Sequence, residues 1–568
     1  MTAWDHETDV VAIGSGAGGM TAALTARLLG SEALVVERGE QFGGTTAMSG
    51  GAIWVPCNHL MAEAGLDDSP DDAHRYLTAV TRGRTSDGKL RAYLRAAPAM
   101  VRWLAERSHV RFVALKKYPD YYPETPGGRL GGRSLEAEPF DGRKLGRDFF
   151  RLRPPHPQEC IWGRVMMSAA EAHEALFGGK EAQAAVVRKL IGYFFNVWER
   201  LRWRRDTRLA IGNALAARLR LSLTEQKVPL WLSTRVTRFV VEAGRVVGVE
   251  VLRDGRTLRI RARRGVVLAS GGFAQNAALR QEHQRAPIGS EWTAAAGDDQ
   301  GDALALGEQV GAATDLLDES WWTPTTVVPG ETVPWILVVE KSLPGSLIVN
   351  RAGKRFTNEA APYLDVVQGI YRDQEATGAA VPAYLVLDAR CRRKYPLGPV
   401  MPGSMFPEWL WKRRWTAEKW LAKADSIGEL ADKIGVDRAG LQETVRVFNG
   451  YCARGVDPEF HRGESAYDRY YASEKVKPNP ALGALGPGPF YAIPVWPGDL
   501  GTKGGLVTDE RGRVLDESGA PVEGLFAVGN ASASVMGLTY PGAGGTIGPA
   551  MTFGWLAAHE ACGASSPD

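Results

Sequence analysis

The chain has 568 residues, 44% of them hydrophobic and 23% charged, with a net charge of +3. That length exceeds one ordinary hydrophobic core, so two or more domains are expected. The charge is too small to argue for a nucleic-acid partner, and no stretch of about 18 apolar residues offers a membrane-spanning helix. Five scattered cysteines (Cys57, Cys160, Cys391, Cys452, Cys562) suit a reducing compartment without disulfides or a metal centre. Residues 1–7 lack the basic-then-apolar pattern of a secretory signal, so a cytoplasmic location is expected.

Residues 9–13 form a short apolar run followed directly by Gly14-Ser15-Gly16-Ala17-Gly18-Gly19. Residues 20–29 read as an Ala/Leu helix, and residues 33–36 as a second strand ending on Glu37. Strand, G-x-G-x-x-G, helix, strand and acid is the dinucleotide-binding fingerprint. Its first glycine makes a tight turn, its second admits a pyrophosphate, its third lets helix pack on strand, and the acid accepts from a ribose hydroxyl. The pyrophosphate is expected on the helix N-terminus. A second flexible, hydroxyl-bearing loop follows at residues 41–52. A nicotinamide unit has no need for it; the longer reach of FAD does.

Residues 145–230 form an unusual basic and aromatic insertion. Its stretch 184–203 carries Leu190, Ile191, Tyr193, Phe194, Phe195, Val197, Trp198, Leu201 and Trp203, with Arg200, Arg202, Arg204, Arg205 and Arg208 at the far end. Two readings stand: a helix lying on an anionic bilayer surface, or a core helix with a solvated basic end. Residues 409–415 are a second tryptophan-rich basic cluster that could extend the same face.

Residues 236–251 alternate around Gly244 and read as a hairpin, with the Val236 backbone placed to meet an adenine. Residues 264–273 read as a buried strand entering a turn at Gly271-Gly272, and residues 524–529 as another. Residues 276–494 are less regular. Trp321-Trp322 and the aromatic run 406–411 are expected as apolar walls, and residues 425–449 as two plain surface helices. Residues 534–551 hold five glycines around Tyr540 and lead into an apolar helix. Backbone so rich in glycine approaches something closely, here a flat ring with one phenol aimed beside it. Residues 563–568 read as a disordered tail.

The start, the 43–52 loop and the 524–529 strand resemble the flavoprotein superfamily of fumarate reductases, aspartate oxidases and 3-ketosteroid dehydrogenases. Three signatures resemble the 3-ketosteroid Δ1-dehydrogenases within it: Tyr118-Pro119-Asp120-Tyr121-Tyr122-Pro123-Glu124; Arg355-Phe356-Thr357-Asn358-Glu359 leading to Tyr363; and Thr539-Tyr540-Pro541-Gly542-Ala543-Gly544. The resemblance implies an α/β fold in which a Rossmann-type FAD-binding domain (1–280 and 495–568) is split around an inserted α+β substrate domain (281–494). It implies a cofactor set of Gly14, Gly16, Ala17, Gly18 and Gly19; Glu37 and Arg38; Gly44, Thr45, Thr46, Ser49, Gly50, Gly51 and Ala52; Val236; Gly271, Gly272 and Asp302; and Gly529, Asn530, Gly545, Thr546 and Ile547.

The implied reaction removes a proton from carbon 2 of a 3-ketosteroid and a hydride from carbon 1 to flavin N5. By motif, Tyr363 resembles the base and Tyr121 its supporter, although Tyr122 is adjacent. Tyr540 and the Gly544 N–H resemble the pair that holds the 3-keto oxygen. A lipophilic sterol such as cholest-4-en-3-one is a candidate substrate, a quinone a candidate electron acceptor, and an anionic membrane surface a candidate peripheral partner on the cytoplasmic side. Three alternatives stay open. The sister Δ4-dehydrogenases carry a serine two residues after the terminal tyrosine, where this chain has Gly542. Fumarate-reductase-like enzymes bind dicarboxylates with Arg and His, which the terminal loop lacks. A flavin-bearing surface-binding protein without turnover is the third.

Overall fold

The computed structural model describes residues 4–161 and 163–565. The first three residues of the start and the last three of the expected tail lie outside the described residues. The apolar run of His6–Ile13 is buried from Val10 onward and pairs in parallel with Ala33–Val36 on one side and Arg256–Leu268 on the other. Strands covered on both faces carry continuous apolar runs, which is what these three show near their ends. Arg256–Leu268 serves two structures along its length. Residues 256–261 pair antiparallel with the hairpin Thr234–Glu242 and Arg245–Arg253, whose turn uses Gly244 at φ +78°. Residues 266–268 pair in parallel with 525–527 of Pro521–Ala527. One sheet thus gathers strands from the beginning, middle and end of the chain.

A second, six-stranded antiparallel sheet is built from Ser320–Thr326, Trp335–Ile336, Ser346–Val349, Ala383–Asp388, Ala422–Ala424 and Phe490–Thr502. The long strand Phe490–Thr502 runs straight through the expected boundary at 494/495, because its pairing with Ser320–Thr326 continues to Thr502. The boundary therefore moves to the far end of that strand. The helices Ile427–Ile434 and Arg438–Arg454 replace the two expected in 425–449, capped by Ser426 and Asp437. Both lie on the surface with one face sealed: Leu430, Ala431, Leu441 and Phe448 pack against the second sheet, while Asp432, Arg438 and Glu443 stay exposed.

The insertion also resolves differently at its two ends. Ile211–Glu225 is a buried helix of the nucleotide lobe, where Asn213 donates to the Ala47 carbonyl. The outward part comprises Ala169–Phe177, Lys180–Phe195 and Val197–Trp203. The expected single helix over 184–203 breaks at Asn196, whose side chain accepts from the Glu199 N–H and starts the next helix. Phe195, Trp198 and Leu201 are 82%, 84% and 69% exposed. Arg205 and Arg208 are committed inward, to Asn213 and the Phe149 carbonyl and to Glu171 respectively, so the arginine cluster is only partly free.

Candidate active site and nucleotide cradle

The three motif glycines are required for three different reasons. Gly14 has φ +104°, and a Cβ there would lie 2.3 Å from the Ala269 carbonyl oxygen. A Cβ at Gly19 would lie 2.0 Å from the Gly14 carbonyl oxygen. At Gly16 the only near neighbour is Thr46 Oγ1 at 3.6 Å, so this glycine faces open space. The helix Ala17–Leu28 starts there on an N-cap without a side chain; its first N–H, that of Ala17, is taken by Thr46 Oγ1, and the positive helix end suits an anion. Gly18 packs against Ala550 and Gly554 of the helix Ile547–Cys562, whose N-terminus at Thr546 is also uncapped by a side chain. Two positive helix ends therefore sit side by side.

Around them lie the other expected cofactor residues. Glu37 accepts from Ser15 N–H and Oγ and from Gly39 N–H, so it clamps the glycine turn. Asp302 joins Arg38 at 3.0 Å and Arg235 at 3.2 Å, and Val236 follows immediately on the edge that docks to Glu37 through Thr234. Thr46 Oγ1 accepts from Ala17 N–H, Thr45 Oγ1 accepts from Ala296 N–H, and Ser49 Oγ bridges the Thr46 carbonyl and the Gly51 N–H. Gly50 faces open space, a Cβ at Gly44 would meet only the Gly16 backbone at 3.9 Å, and Ala52 carries the chain into Ile53–Trp54. Gly271 and Gly272 have protein neighbours instead: a Cβ on either would meet Asp299 or Thr502 at 1.9 Å. Asn530, after Gly529, accepts from Trp321 Nε1. Uncapped helix ends, open glycines and hydroxyls at one crevice fit a dinucleotide that continues past its pyrophosphate.

At the junction of the two sheets three phenols converge. Tyr121, Tyr363 and Tyr540 are 2%, 5% and 4% exposed, and their ring centroids lie 5.2–5.3 Å apart. Tyr363 is the first residue of the helix Tyr363–Thr377. The Tyr121 hydroxyl donates to that of Tyr363 at 2.8 Å, whereas Tyr122 donates to Asp365. Tyr121, not its neighbour, thus faces Tyr363. The Tyr540 hydroxyl pairs with Thr546 Oγ1 at 2.8 Å. Burial pushes the Tyr363 and Tyr121 phenols well above the ordinary value, and the hydrogen bond from Tyr121 offsets part of this at Tyr363.

Backbone constraints hold the three together. The Pro541 carbonyl accepts from both Tyr121 N–H and Tyr76 Oη, tying the Tyr121 and Tyr540 loops to each other. Gly544 has φ +96°, and a Cβ there would lie 2.4 Å from Ile53. Its carbonyl accepts from Trp54 N–H, while its own N–H donates to no protein acceptor among the described residues. At Gly542 a Cβ would lie 2.5 Å from the Trp54 indole, which itself donates to Asp120; this excludes a serine at that position. Arg355 and Glu359 of the second signature form a sealed ion network with Asp457 and Arg462, and so anchor the approach to Tyr363.

Of the expected walls, Trp321 packs edge-on against Tyr540 at 4.8 Å, while Trp322 packs into the core on Tyr371. Trp409 is 80% exposed and is no wall, whereas Trp411 of the same run packs against Tyr491. Several residues escaped the sequence reading. Lys503 is sealed, donates to the Thr539 carbonyl at 2.8 Å and lies over the Trp321 ring; burial lowers its ammonium to about 7. Lys341, likewise lowered to about 7 by burial, donates to the Glu359 and Ala361 carbonyls just before Tyr363. Tyr467, Tyr470 and Tyr471 enclose Tyr118 and Tyr121. The signal for them was present: Tyr467-Tyr470-Tyr471 repeats the spacing of Tyr118-Tyr121-Tyr122.

Residues 9–547 match the family described as FAD binding domain. Fold and cradle are therefore those of an FAD-dependent flavoprotein. The chain is 43% identical to a 3-oxosteroid 1-dehydrogenase of Mycolicibacterium smegmatis, covering 98% of this chain and 97% of that one. It is 42% identical to a 3-oxosteroid 1-dehydrogenase of Mycobacterium tuberculosis, over 97% and 98%. Its structure is similar, at a TM-score of 0.95 and 43% identity over 98% and 100% of the two chains, to the 3-ketosteroid Δ1-dehydrogenase of Sterolibacterium denitrificans in complex with 1,4-androstadiene-3,17-dione. The chain belongs to the FAD-binding flavoproteins and, among them, to the 3-oxosteroid 1-dehydrogenases.

Proposed function

We propose that this chain dehydrogenates 3-ketosteroids between carbons 1 and 2, turning a Δ4-3-ketone into the Δ1,4-3-ketone. The observation that carries the roles of the residues is the convergence of three buried phenols beside the Gly544 N–H, which donates to no acceptor among the described residues, next to the nucleotide cradle. Residues 1–280 and the chain beyond Thr502 hold FAD, and the second sheet with its helices holds the steroid. FAD, when bound, supplies the acceptor for the hydrogen that leaves carbon 1.

The chain's own part is acid–base and electrostatic. Tyr540 and the Gly544 N–H grip the 3-keto oxygen, which stabilises negative charge as the carbon 2 proton departs. Tyr363 takes that proton, and Tyr121 steadies the phenol oxygen through its 2.8 Å hydrogen bond. The dry aromatic walls, Trp321 among them, strengthen both interactions by excluding water. The test is anaerobic bleaching of the purified yellow protein by a panel of 3-ketosteroids differing in ring A saturation. Bleaching by Δ4-3-ketosteroids supports the reading. Bleaching only by ring-saturated substrates, with a Δ4 product, moves it to the sister reaction.

The exposed helices favour a cytoplasmic protein bound peripherally to an anionic membrane, where a lipophilic sterol and a quinone acceptor both reside. Phe195, Trp198 and Leu201 stand out beside Arg202 and Arg204, and no helix among the described residues is long and apolar enough to cross a membrane. Sedimentation with anionic vesicles at low salt tests this; a protein that stays in the supernatant contradicts it.

A further inference from the structure

Lys503 directly follows the long strand Phe490–Thr502, and its side chain is fully sealed. An ammonium carries three donors and no acceptor. One donor of this ammonium reaches the Thr539 carbonyl at 2.8 Å, and the nitrogen lies 4.5 Å from the centre of the Trp321 ring, a cation–π contact. No carboxylate closes an ion pair with it among the described residues. Glu319, which favours its charged form, is committed to Arg285 and to Trp322 Nε1. The other titratable groups facing this corner are Tyr540, Tyr122 with Asp365 beyond Thr539, and Lys89 across the small cavity that Trp321, Asn530 and Ser534 line. On the preceding strand, Asp499 is committed to Arg280. A methionine would fill this space without the cost of taking a charge out of water, so packing does not account for a lysine. Both of its contacts lead to one residue. Thr539 precedes Tyr540, and the Trp321 ring packs against the Tyr540 ring at 4.8 Å while its Nε1 donates to Asn530.

We propose that Lys503 is a positioning residue of the oxyanion grip: through the Thr539 carbonyl and the Trp321 ring its ammonium fixes Tyr540 and sets a positive charge behind the phenol that holds the 3-keto oxygen. This rests on the reading of Tyr540 as a donor to that oxygen. The peptide unit on which the ammonium draws is the one whose N–H belongs to Tyr540. Negative charge develops on the 3-keto oxygen only as the carbon 2 proton leaves. A cation held in a dry surrounding therefore favours that state over the neutral bound ketone. Its effect falls on the rate rather than on steroid affinity. Lys503 takes no proton from carbon 2 and acts only through its two neighbours. Burial lowers its ammonium to about 7, so the charge is present below that pH and is lost as pH rises through it.

The test uses the full-length holoenzyme with Lys503→Met and Lys503→Arg. Anaerobic flavin reduction by a Δ4-3-ketosteroid is followed between pH 6 and pH 9. The parent should slow as pH rises through about 7, where the lysine charge is lost. Lys503→Met should be about tenfold slower at pH 6, less than the loss of a direct oxyanion donor. Its steroid affinity should be unchanged and its fall above pH 7 absent. Lys503→Arg keeps its charge across the whole range, so its rate at pH 6 should lie between those two and should not fall either. In a Tyr540→Phe background, Lys503→Met should cost less than about twofold, because residues that act as a unit are not additive. Parent-like rate and pH profile in Lys503→Met would overturn the proposal, as would a full tenfold loss on top of Tyr540→Phe. Loss of flavin or of steroid affinity in both variants would make Lys503 a purely structural residue and overturn it equally. A parent that no Δ4-3-ketosteroid bleaches would instead remove the reaction on which the proposal rests.

Discussion

The protein places its aromatic side chains in two opposite settings. At the junction of the sheets, Tyr121, Tyr363 and Tyr540 are sealed, with their hydroxyls turned toward one another and Thr546. On the outward helices, Phe195 and Trp198 point into solvent beside arginines. Both regions are rich in rings, yet burial changes what the rings can do. In the first, lost solvation raises each phenol and makes every hydrogen bond to it consequential. In the second, the apolar area itself is the resource.

The largest effect that separates the two regions is expected at Tyr363. Tyr363→Phe should retain flavin and lose turnover by about 10²–10⁴-fold, the usual worth of a general base, read as kcat in a dye-reduction assay. Next comes Tyr540→Phe. Loss of one oxyanion donor should cost about 2.7–4 kcal/mol of transition-state stabilisation. It should appear in kcat; a change in KM alone would make Tyr540 a binding residue only.

A stability effect should follow from the ion network behind Tyr363. Glu359 is buried, which by itself raises its carboxyl, but Arg355 and Arg462 outweigh burial and hold it down to about 2. Its folded value lies below its unfolded one of 4.5. The stabilisation is therefore complete above pH 4.5 and is lost as pH falls toward 2, amounting to about 3 kcal/mol. Melting curves between pH 6 and pH 3 should show this loss, and Glu359→Gln should flatten the dependence from a lower starting point. The smallest catalytic effect is expected from the outer region. The double variant Phe195→Ser, Trp198→Ser should keep parent-like kcat on a water-soluble 3-ketosteroid and lose sedimentation with anionic vesicles.

The same contrast explains what could be read before the fold was known. The nucleotide end was legible because its parts are local: Gly14, Gly16, Gly19 and Glu37 follow one another through a strand, a helix and a strand. Tyr121 and Tyr363 were legible only through resemblance, since the hydrogen bond joining them spans 242 residues. Lys503 and Lys341 gave no signal. A lysine in a glycine-rich loop or beside a 3₁₀ turn reads as surface, and only the surrounding core reveals that each is sealed and satisfies backbone carbonyls near a tyrosine. Trp409 failed in the other direction. An aromatic run reads as a wall whether its side chains turn in or out, and here Trp409 stands in solvent. The break at Asn196 was visible in principle, because an Asn followed three residues later by Glu199 is a helix-start pattern.

The claim on which the account turns is that buried phenols, rather than a histidine, a lysine or a carboxylate, handle the carbon 2 proton. Its most direct test is rapid anaerobic mixing of the yellow Tyr363→Phe protein with a Δ4-3-ketosteroid. The account predicts that steroid binding perturbs the flavin spectrum while the yellow colour persists over times that bleach the parent completely. Bleaching at the parent's rate would contradict it.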